Sequence, residues 1–213
     1  MHKLMIDDLY ASMPWDEIDT VVFDVGNVLV HYNPQELLEE YVPDHPELYP
    51  MLKRRVFASP YWAMMDRGAM TLAEACEAMA GQDECLWPIV RKLMYDWWPL
   101  KPIQEGVDAL KVIKARGKKL YVLSNYNAEP FAVPRKLYDF FDLFDGMVIS
   151  SEEMLIKPDP AIYHLLEKRY GIDPARTMFI DDSYANIEAA IHCGWHGLLY
   201  NKPGKLKAFL GVE

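Results

Sequence analysis

Cysteine is scarce in this chain of 213 residues. Its three cysteines, Cys76, Cys85 and Cys193, are odd in number and have no paired spacing. This pattern predicts neither a disulfide framework nor a zinc site, because both need cysteines in matched sets. The low cysteine content favours a reducing compartment, and we expect a cytoplasmic protein.

Positive charge and long apolar runs are also in short supply. Lysine and arginine number 22 against 32 acidic residues, which gives a net charge of −10 and a pI of about 5.1. This charge disfavours nucleic acids and anionic membranes as partners, but local cations could still hold a small phosphorylated substrate. No stretch approaches the roughly 20 apolar residues that span a bilayer. Residues 1–17 carry acids and lack the basic start and apolar block of a signal peptide, so we expect a soluble protein.

The β-prone run Thr20–Phe23 ends on a carboxylate, Asp24, and Gly26 follows two residues later. An uninterrupted apolar strand is typical of a parallel sheet that is buried on both faces, where ligands bind beyond the carboxyl ends of the strands. The alternative is a strand that simply ends in a turn-forming aspartate.

A stretch with helical patterning follows this strand. Asn33 can cap a helix that Pro34 begins, and from there to residue 99 short helical segments are separated by prolines and a glycine. From Pro102 onwards helices and strands alternate, as in a parallel sheet with covering helices. The later predicted strands are Leu120–Leu123, Met147–Ile149, Met178–Ile180 and Gly197–Tyr200.

These patterns predict an α/β fold with a Rossmann-like, doubly wound parallel sheet. The predicted core comprises residues 1–33 and 100–213. A small all-helical cap, residues 34–99, is expected as an insertion after the first strand.

Three predicted strands end in polar residues, namely Asp24, Ser124 and the pair Asp181-Asp182, and Lys157 precedes a predicted helix. Parallel strands bring such ends to one edge, where they would supply a nucleophilic carboxylate, a hydroxyl donor, a cation and acids for a metal. Each feature alone also fits a surface turn or a solvated strand end. Their order indicates a site that could hold a phosphoryl group.

Four short motifs carry a family resemblance. They are Phe23–Leu29, Leu123–Asn125, Lys157-Pro158, and Phe179–Asp182 with Asn186 beyond it. On these residues the chain resembles the haloacid dehalogenase-like hydrolase superfamily, and the insertion corresponds to its helical-cap subclass. Most members are magnesium-dependent phosphatases. The form Asp-x-Gly-Asn-Val and the tripeptide Asp66-Arg67-Gly68 are most similar to a bacterial group that includes α-D-glucose-1-phosphate phosphatase.

The resemblance implies a role for each matching residue. Asp24 would attack phosphorus and form an aspartyl-phosphate that water later cleaves. Asp24, the carbonyl of Gly26 and Asp182 would hold Mg²⁺, a hard cation that prefers oxygen ligands.

Ser124, the amide of Asn125 and Lys157 would bind the phosphoryl group, with the lysine neutralising charge between two anions. Four further residues have roles that the sequence leaves open: Asp181, Asn186, Arg67 and His31. Asp181 could be an outer metal ligand or could orient Lys157.

Arg67 could reach over the site or be an exposed loop residue. His31 could carry a proton or merely close a turn.

Gly26 departs from the usual family pattern, which has an acid two residues after the nucleophile. General acid–base help is worth roughly 10²–10⁴ in rate, so a poor leaving group would depart slowly. The sequence therefore favours a better leaving group, such as a sugar 1-phosphate offers, a different proton carrier, or weak turnover.

Two other functions remain open at this point. One is a 2-haloacid dehalogenase, which uses an aspartate nucleophile and no metal, and the other is a non-catalytic phosphate-binding or interaction protein that lacks the usual acid. The sequence fits either a monomer or a homodimer.

Overall fold

A computed structural model describes residues 15–96 and 100–211 of the chain. Five strands in these residues form one parallel sheet with the order β3-β2-β1-β4-β5. They are β1 (Thr20–Phe23), β2 (Lys119–Ser124), β3 (Gly146–Ile149), β4 (Thr177–Asp181) and β5 (His196–Leu199). The predicted strands are confirmed, with bounds that differ by one residue at most.

Between β1 and β2 the chain forms a run of five helices, which is the first group, and then one further helix. The first group is α1 (Pro34–Tyr41), α2 (Tyr49–Leu52), α3 (Pro60–Arg67), α4 (Leu72–Ala80) and α5 (Leu86–Tyr95). A 3-10 turn, Pro46–Leu48, precedes α2, and a π-helical turn, Lys53–Phe57, follows it. The second group is α6 (Gln104–Ala115) alone, which leads into β2. Asn33 caps α1 as predicted, because its side chain accepts the amide of Gln35.

The remaining helices connect and cover the later strands. They are α7 (Ala128–Leu137), α8 (Ser150–Glu153), α9 (Pro160–Tyr170), α10 (Tyr184–His192) and α11 (Lys205–Leu210). Three 3-10 turns complete the described elements: Trp15–Glu17, Asp139–Leu143 and Pro174–Arg176.

Alternate residues of the strands enter different hydrophobic clusters on the two faces of the sheet. In β1, Val21 and Phe23 pack on the side of α6 and α11, whereas Val22 packs on the side of α9 and α10. This two-residue alternation follows from strand geometry, and it leaves the sheet buried on both faces. The α/β, Rossmann-like, doubly wound fold predicted from the sequence is confirmed.

The helices α1–α5 enclose a hydrophobic cluster of their own, with buried residues such as Leu52, Leu72 and Leu93. The division into a core (1–33 and 100–213) and a cap (34–99) stays a prediction. Residues 1–14, 97–99 and 212–213, which include the last three residues of the predicted cap, lie outside the described residues. No helix among the described residues is both long enough and apolar enough to cross a membrane.

Candidate active site

Strand register brings the predicted polar residues to one edge of the sheet. β1 lies between β2 and β4, with Phe23 opposite Val122 and Ile180. The chain therefore delivers Asp24, just after β1, beside Ser124 at the end of β2 and Asp181 at the end of β4. This is the edge at which open parallel sheets bind their ligands.

Asp24 is 8% exposed, and several donors converge on one of its oxygens. Its Oδ1 accepts hydrogen bonds from Ser124 Oγ (2.7 Å) and Val25 N (2.7 Å), and Lys157 Nζ lies 2.9 Å away. Burial raises the pKa of Asp24 to about 6, although the charge of Lys157 pulls it down. Its Oδ2 accepts no hydrogen bond within the described part of the chain and remains available for a ligand.

Lys157 is a buried cation, 3% exposed, held between carboxylates. Its Nζ lies 2.7 Å from Asp181 Oδ2 and donates to the Leu123 carbonyl at 2.9 Å. Burial alone would lower the pKa of Lys157, but the charges of Asp181 and Asp24 outweigh it and hold the pKa above its ordinary value. The lysine therefore stays protonated beside Asp24.

Asn125 and Asn186 position their neighbours. The Asn125 amide donates to the Lys157 carbonyl (2.9 Å), and its oxygen accepts the Lys157 backbone N–H (2.8 Å). Asn186 Nδ2 lies 3.1 Å from each oxygen of Asp181, which is fully buried and also accepts the Ser183 amide. Asp181 also contacts Lys157 directly, and its two predicted roles, orienting the lysine and serving as an outer metal ligand, both stay predictions.

Three carboxylates at this edge have the chemistry of a cation site. Asp24, Asp181 and Asp182 each offer one oxygen, and these oxygens lie within 4.8 Å of one another. Burial, followed by the charge of Asp181, raises the pKa of Asp182, and a bound cation would favour its charged form. The Gly26 carbonyl accepts no backbone hydrogen bond from the described residues and is a free oxygen ligand. These donors fit a hard divalent cation such as Mg²⁺.

Asn27 is a site residue to which the sequence reasoning assigned no role. Its Nδ2 donates to Asp182 Oδ2 at 3.2 Å, and its Oδ1 accepts the Tyr32 amide at 2.9 Å. The backbone of Asn27 has φ 53°, a left-handed conformation that asparagine tolerates better than most residues. An asparagine directly after a glycine, in a loop after a buried strand, is the signal that could have marked it.

A cavity opens from Asp24 into the space between the sheet edge and helices α1–α5. Its empty volume is about 660 Å³, including its open mouth. Its lining comprises Asp24, Gly26, Tyr32, Trp62, Met65, Asp66, Leu72, Met94, Leu100, Ser124, Asn125, Tyr126, Asn127 and Pro130. Most of these side chains are apolar or aromatic. A Cβ built on Gly26 would meet no atom within 4 Å, so crowding at the Cβ position does not account for the glycine.

Two of the predicted candidates, Arg67 and His31, lie at the surface and do not line this cavity. Arg67 is exposed. His31 is also exposed, with its ring 2.9 Å from the carboxylate of Glu36. The structure thus brings Asp24, Ser124, Lys157 and the acids of β4 together and leaves Arg67 and His31 at the surface.

Comparison with known proteins gives one family and several relatives. A family model described as haloacid dehalogenase-like hydrolase matches residues 18–194. A sesquiterpene phosphatase of Aspergillus oryzae is 27% identical over 179 residues, covering 83% of this chain and 87% of the relative. A phosphorylated carbohydrates phosphatase of Thermotoga maritima is 25% identical over 184 residues, covering 83% and 82%. An (S)-2-haloacid dehalogenase of Pseudomonas sp. is 27% identical over 112 residues, covering 53% and 48%.

Solved structures share the fold. One is an enzyme of the same family from Bacteroides thetaiotaomicron, in complex with magnesium and inorganic phosphate. It superposes with a TM-score of 0.70 at 22% identity, covering 88% of this chain and 96% of that one.

Proposed function

This chain belongs to the haloacid dehalogenase-like hydrolases, and on that premise we propose that it is a Mg²⁺-dependent phosphatase acting on a small phosphorylated metabolite through an aspartyl-phosphate. The observation that carries the proposal is the set of contacts around Asp24, where a hydroxyl and a buried ammonium share one oxygen beside a cluster of carboxylates. A carboxylate nucleophile next to a fixed cation and metal-binding acids is suited to phosphoryl transfer.

The side chains would divide the work as follows. Asp24 attacks phosphorus, the ester P–O bond breaks, and water then cleaves the aspartyl-phosphate to release phosphate and restore Asp24. Ser124 and the backbone amide of Asn125 bind phosphoryl oxygens, while Lys157 neutralises charge between the nucleophile and the phosphate. Asp24, Asp182 and the Gly26 carbonyl would hold Mg²⁺, which supplies further neutralisation of phosphate charge when bound.

The cavity supports a substrate whose alcohol is largely apolar. Trp62, Met65, Leu72 and Met94 are among its lining residues, and a hydrocarbon chain would bury apolar area against them. The similarity to a sesquiterpene phosphatase also supports a substrate with an apolar alcohol. A panel of phosphate esters with Mg²⁺ tests it: an alkyl or isoprenyl monophosphate should give a higher kcat/KM than glucose 6-phosphate.

A sugar 1-phosphate is the second candidate substrate. Gly26 favours it, because an anomeric oxygen departs more readily than an ordinary alcohol when the usual acid is missing. The similarity to a carbohydrate phosphatase supports it as well, as does membership in the bacterial glucose-1-phosphate phosphatase group proposed from the motifs. If a sugar 1-phosphate is the substrate, we expect the rate on glucose 1-phosphate to be well above the rate on glucose 6-phosphate. Equal rates would contradict this candidate.

Phosphate release with and without Mg²⁺, for the unmodified chain and Asp24→Asn, tests the activity itself. We expect turnover that requires Mg²⁺ and is lost in Asp24→Asn, together with a covalent aspartyl-phosphate detected by mass spectrometry. Asp44→Asn makes the same chemical change at an exposed position and serves as the matched control.

Two alternatives predict other outcomes. A 2-haloacid dehalogenase would release chloride without Mg²⁺, and the carboxylate cluster at Asp182 argues against this chemistry because a metal-free enzyme has no use for it. A non-catalytic phosphate-binding or interaction protein would show neither turnover nor a covalent intermediate.

We also propose the remaining features expected from the sequence. The core (1–33 and 100–213) carries the chemistry and the cap (34–99) covers the cavity. The protein is cytoplasmic, acts as a monomer or homodimer, and uses neither nucleic acid nor membrane as a partner. Size-exclusion chromatography with light scattering would decide between the two oligomeric states.

A further inference from the structure

On the sheet side of the cavity, the described residues include no acid outside the metal-binding set that could give a departing alcohol its proton. Gly26 stands where an acid is usual in the family, and His31 is paired with Glu36 at the surface. We propose that Asp66, near the end of α3, is the catalytic residue that donates this proton. The inference rests on the phosphatase activity proposed above.

The first support is the place of Asp66 in the cavity. Asp24 and Gly26 line it from the sheet, and Asp66 lines it from the helical insertion. An ester bound with its phosphorus at Asp24 would extend its alcohol into this cavity, and Asp66 is one of the residues that line it. No hydrogen bond joins Asp66 to Asp24 or Asp182 within the described ranges, so the carboxyl is not part of the cation cluster.

Core residues hold the end of α3 in position. Asn127 Nδ2 donates to the Met65 carbonyl at 3.2 Å, and Ser150 Oγ donates to the Asp66 carbonyl. The backbone carbonyl of Ser151 occupies the space that a side chain on Gly68 would need. These donors follow β2 and β3, so the same segments that carry the phosphate-binding residues also fix where Asp66 lies.

The surroundings of Asp66 favour the protonated carboxyl. The titratable groups that face it are Tyr32, Tyr126 and Asp24, and the indole of Trp62 hydrogen-bonds to it. No Lys or Arg forms an ion pair with it among residues 15–96 and 100–211. Burial, with a smaller contribution from the charge of Asp24, raises the pKa of Asp66 to about 8. A carboxyl group with this pKa holds a proton at neutral pH and can give it up.

The two tyrosines that face Asp66 are weaker acids in this setting. Burial raises the pKa of both Tyr32 and Tyr126 far above the ordinary value for a phenol. The hydroxyl of Tyr126 is buried and makes no hydrogen bond within the described residues, so it is free to contact a bound substrate. Such an unpaired buried hydroxyl next to Asp66 indicates that a ligand oxygen belongs here.

The proton balance closes over both halves of the reaction. As an oxygen of Asp24 bonds to phosphorus, the ester P–O electron pair moves to the alcohol oxygen, which takes the proton of Asp66 and leaves as a neutral alcohol. The Asp66 carboxylate then accepts a proton from the water that attacks phosphorus and frees Asp24. One water is consumed, and Asp66 ends protonated as it began.

The test compares two substrates that differ in their need for an acid. Hexyl phosphate has a poor leaving group, whereas p-nitrophenolate leaves without protonation. For Asp66→Asn we expect a 10²- to 10⁴-fold lower kcat on hexyl phosphate. On p-nitrophenyl phosphate the variant should release about one equivalent of p-nitrophenolate in a burst and then turn over slowly, since the aspartyl-phosphate lacks its base. Asp44→Asn, also in the insertion, should match the unmodified enzyme on both.

The pH dependence of the unmodified enzyme provides a second test, which needs no variant. In the unmodified enzyme, kcat on hexyl phosphate should fall as pH rises above about 8, while the p-nitrophenolate burst rate stays constant. An equal loss on both substrates without a burst, or a hexyl phosphate rate within threefold of the unmodified enzyme, would overturn the role of Asp66. An unmodified enzyme that releases phosphate from neither substrate would instead overturn the phosphatase function itself.

Discussion

Lys157 is the side chain on which the electrostatics of the site depend. It is buried between Asp24 and Asp181, and its charge lowers the pKa of Asp24 against the effect of burial. Removing one partner from a buried ionic network leaves the others without compensation, which costs far more than breaking a surface pair. The lysine therefore compensates the charge of both buried carboxylates.

We predict that Lys157→Met destabilises the metal-free protein by about 3 to 5 kcal/mol at pH 8 and abolishes turnover. The penalty should shrink at pH 5. Without the lysine the pKa of Asp24 rises further, and a raised folded-state pKa gives stability that is present at low pH and lost as pH rises through it. Urea unfolding at both pH values measures this, with exposed Lys136→Met as control. A pH-independent loss would contradict the charge argument.

Helix α3 contacts the core through its C-terminal end. Gly68 terminates α3 with φ 80°, and a Cβ there would lie 2.1 Å from the carbonyl oxygen of Ser151. Gly171 ends α9 with a similar φ of 65° but has no atom within 4 Å of a built Cβ. Alanine at Gly171 would therefore carry only the cost of a left-handed backbone, whereas alanine at Gly68 would carry this cost and a steric overlap as well.

Gly68→Ala should lose about 1 to 2 kcal/mol from the left-handed backbone and about 1 to 3 kcal/mol more from overpacking against Ser151. Gly171→Ala should lose the first amount only. Because a shift of α3 displaces Asp66, kcat of Gly68→Ala should also fall by about 10², whereas Gly171→Ala keeps its rate. Chemical denaturation and steady-state kinetics on both variants check this, and equal stability losses would rule out the close contact.

A second element, α11, depends on a carboxylate from α6. Glu105 accepts the amides of Gly204 (2.8 Å), Leu206 (2.9 Å) and Lys207 (3.3 Å), and the hydroxyl of Tyr200 (3.0 Å). Burial alone would raise the pKa of Glu105, but these hydrogen bonds outweigh it and lower the pKa. A charged acceptor at a helix N-terminus also interacts favourably with the helix dipole.

Glu105→Gln should therefore reduce stability by about 1 to 2 kcal/mol at pH 7. A lowered folded-state pKa gives stability that is present above the unfolded pKa and lost as pH falls through the folded value. The gap in Tm between the two proteins should accordingly narrow below about pH 4.5. Thermal melts across this range test it, with exposed Glu84→Gln as control. A gap that stays constant down to pH 3 would show that the charge is not involved.

At the scale of the whole molecule, the hydrophobic cluster of helices α1–α5 packs against one hydrophobic cluster of the sheet, and the cavity lies between them. Tyr41, Phe57 and Trp62 pack against both the cluster of the insertion and one cluster of the sheet. The three carboxylates at the sheet edge follow or end two different strands, and Asp24 also lines the cavity. A cation held by all three would therefore bind only the folded chain. Metal binding should therefore be visible in global stability.

Mg²⁺ at about 100 times its Kd should stabilise the protein by about 2.7 kcal/mol, which corresponds to roughly 5 to 10 °C in Tm for a chain of this size. Asp182→Asn should remove most of this gain, whereas Asp139→Asn, an exposed position, should keep it. Melts in Mg²⁺ and in EDTA give the comparison. An undiminished shift in Asp182→Asn would place the cation elsewhere.

The sheet and its polar edge could be predicted from the order of residues. Apolar runs such as Thr20–Phe23 identify buried strands, and parallel pairing then brings Asp24, Ser124 and Asp181 together, because strand direction and period leave little freedom. Asp66 and Tyr126 could not be placed in the cavity this way. Their positions depend on how α3 docks onto loops far away in sequence, through contacts such as Ser150 to the Asp66 carbonyl, which follow no period.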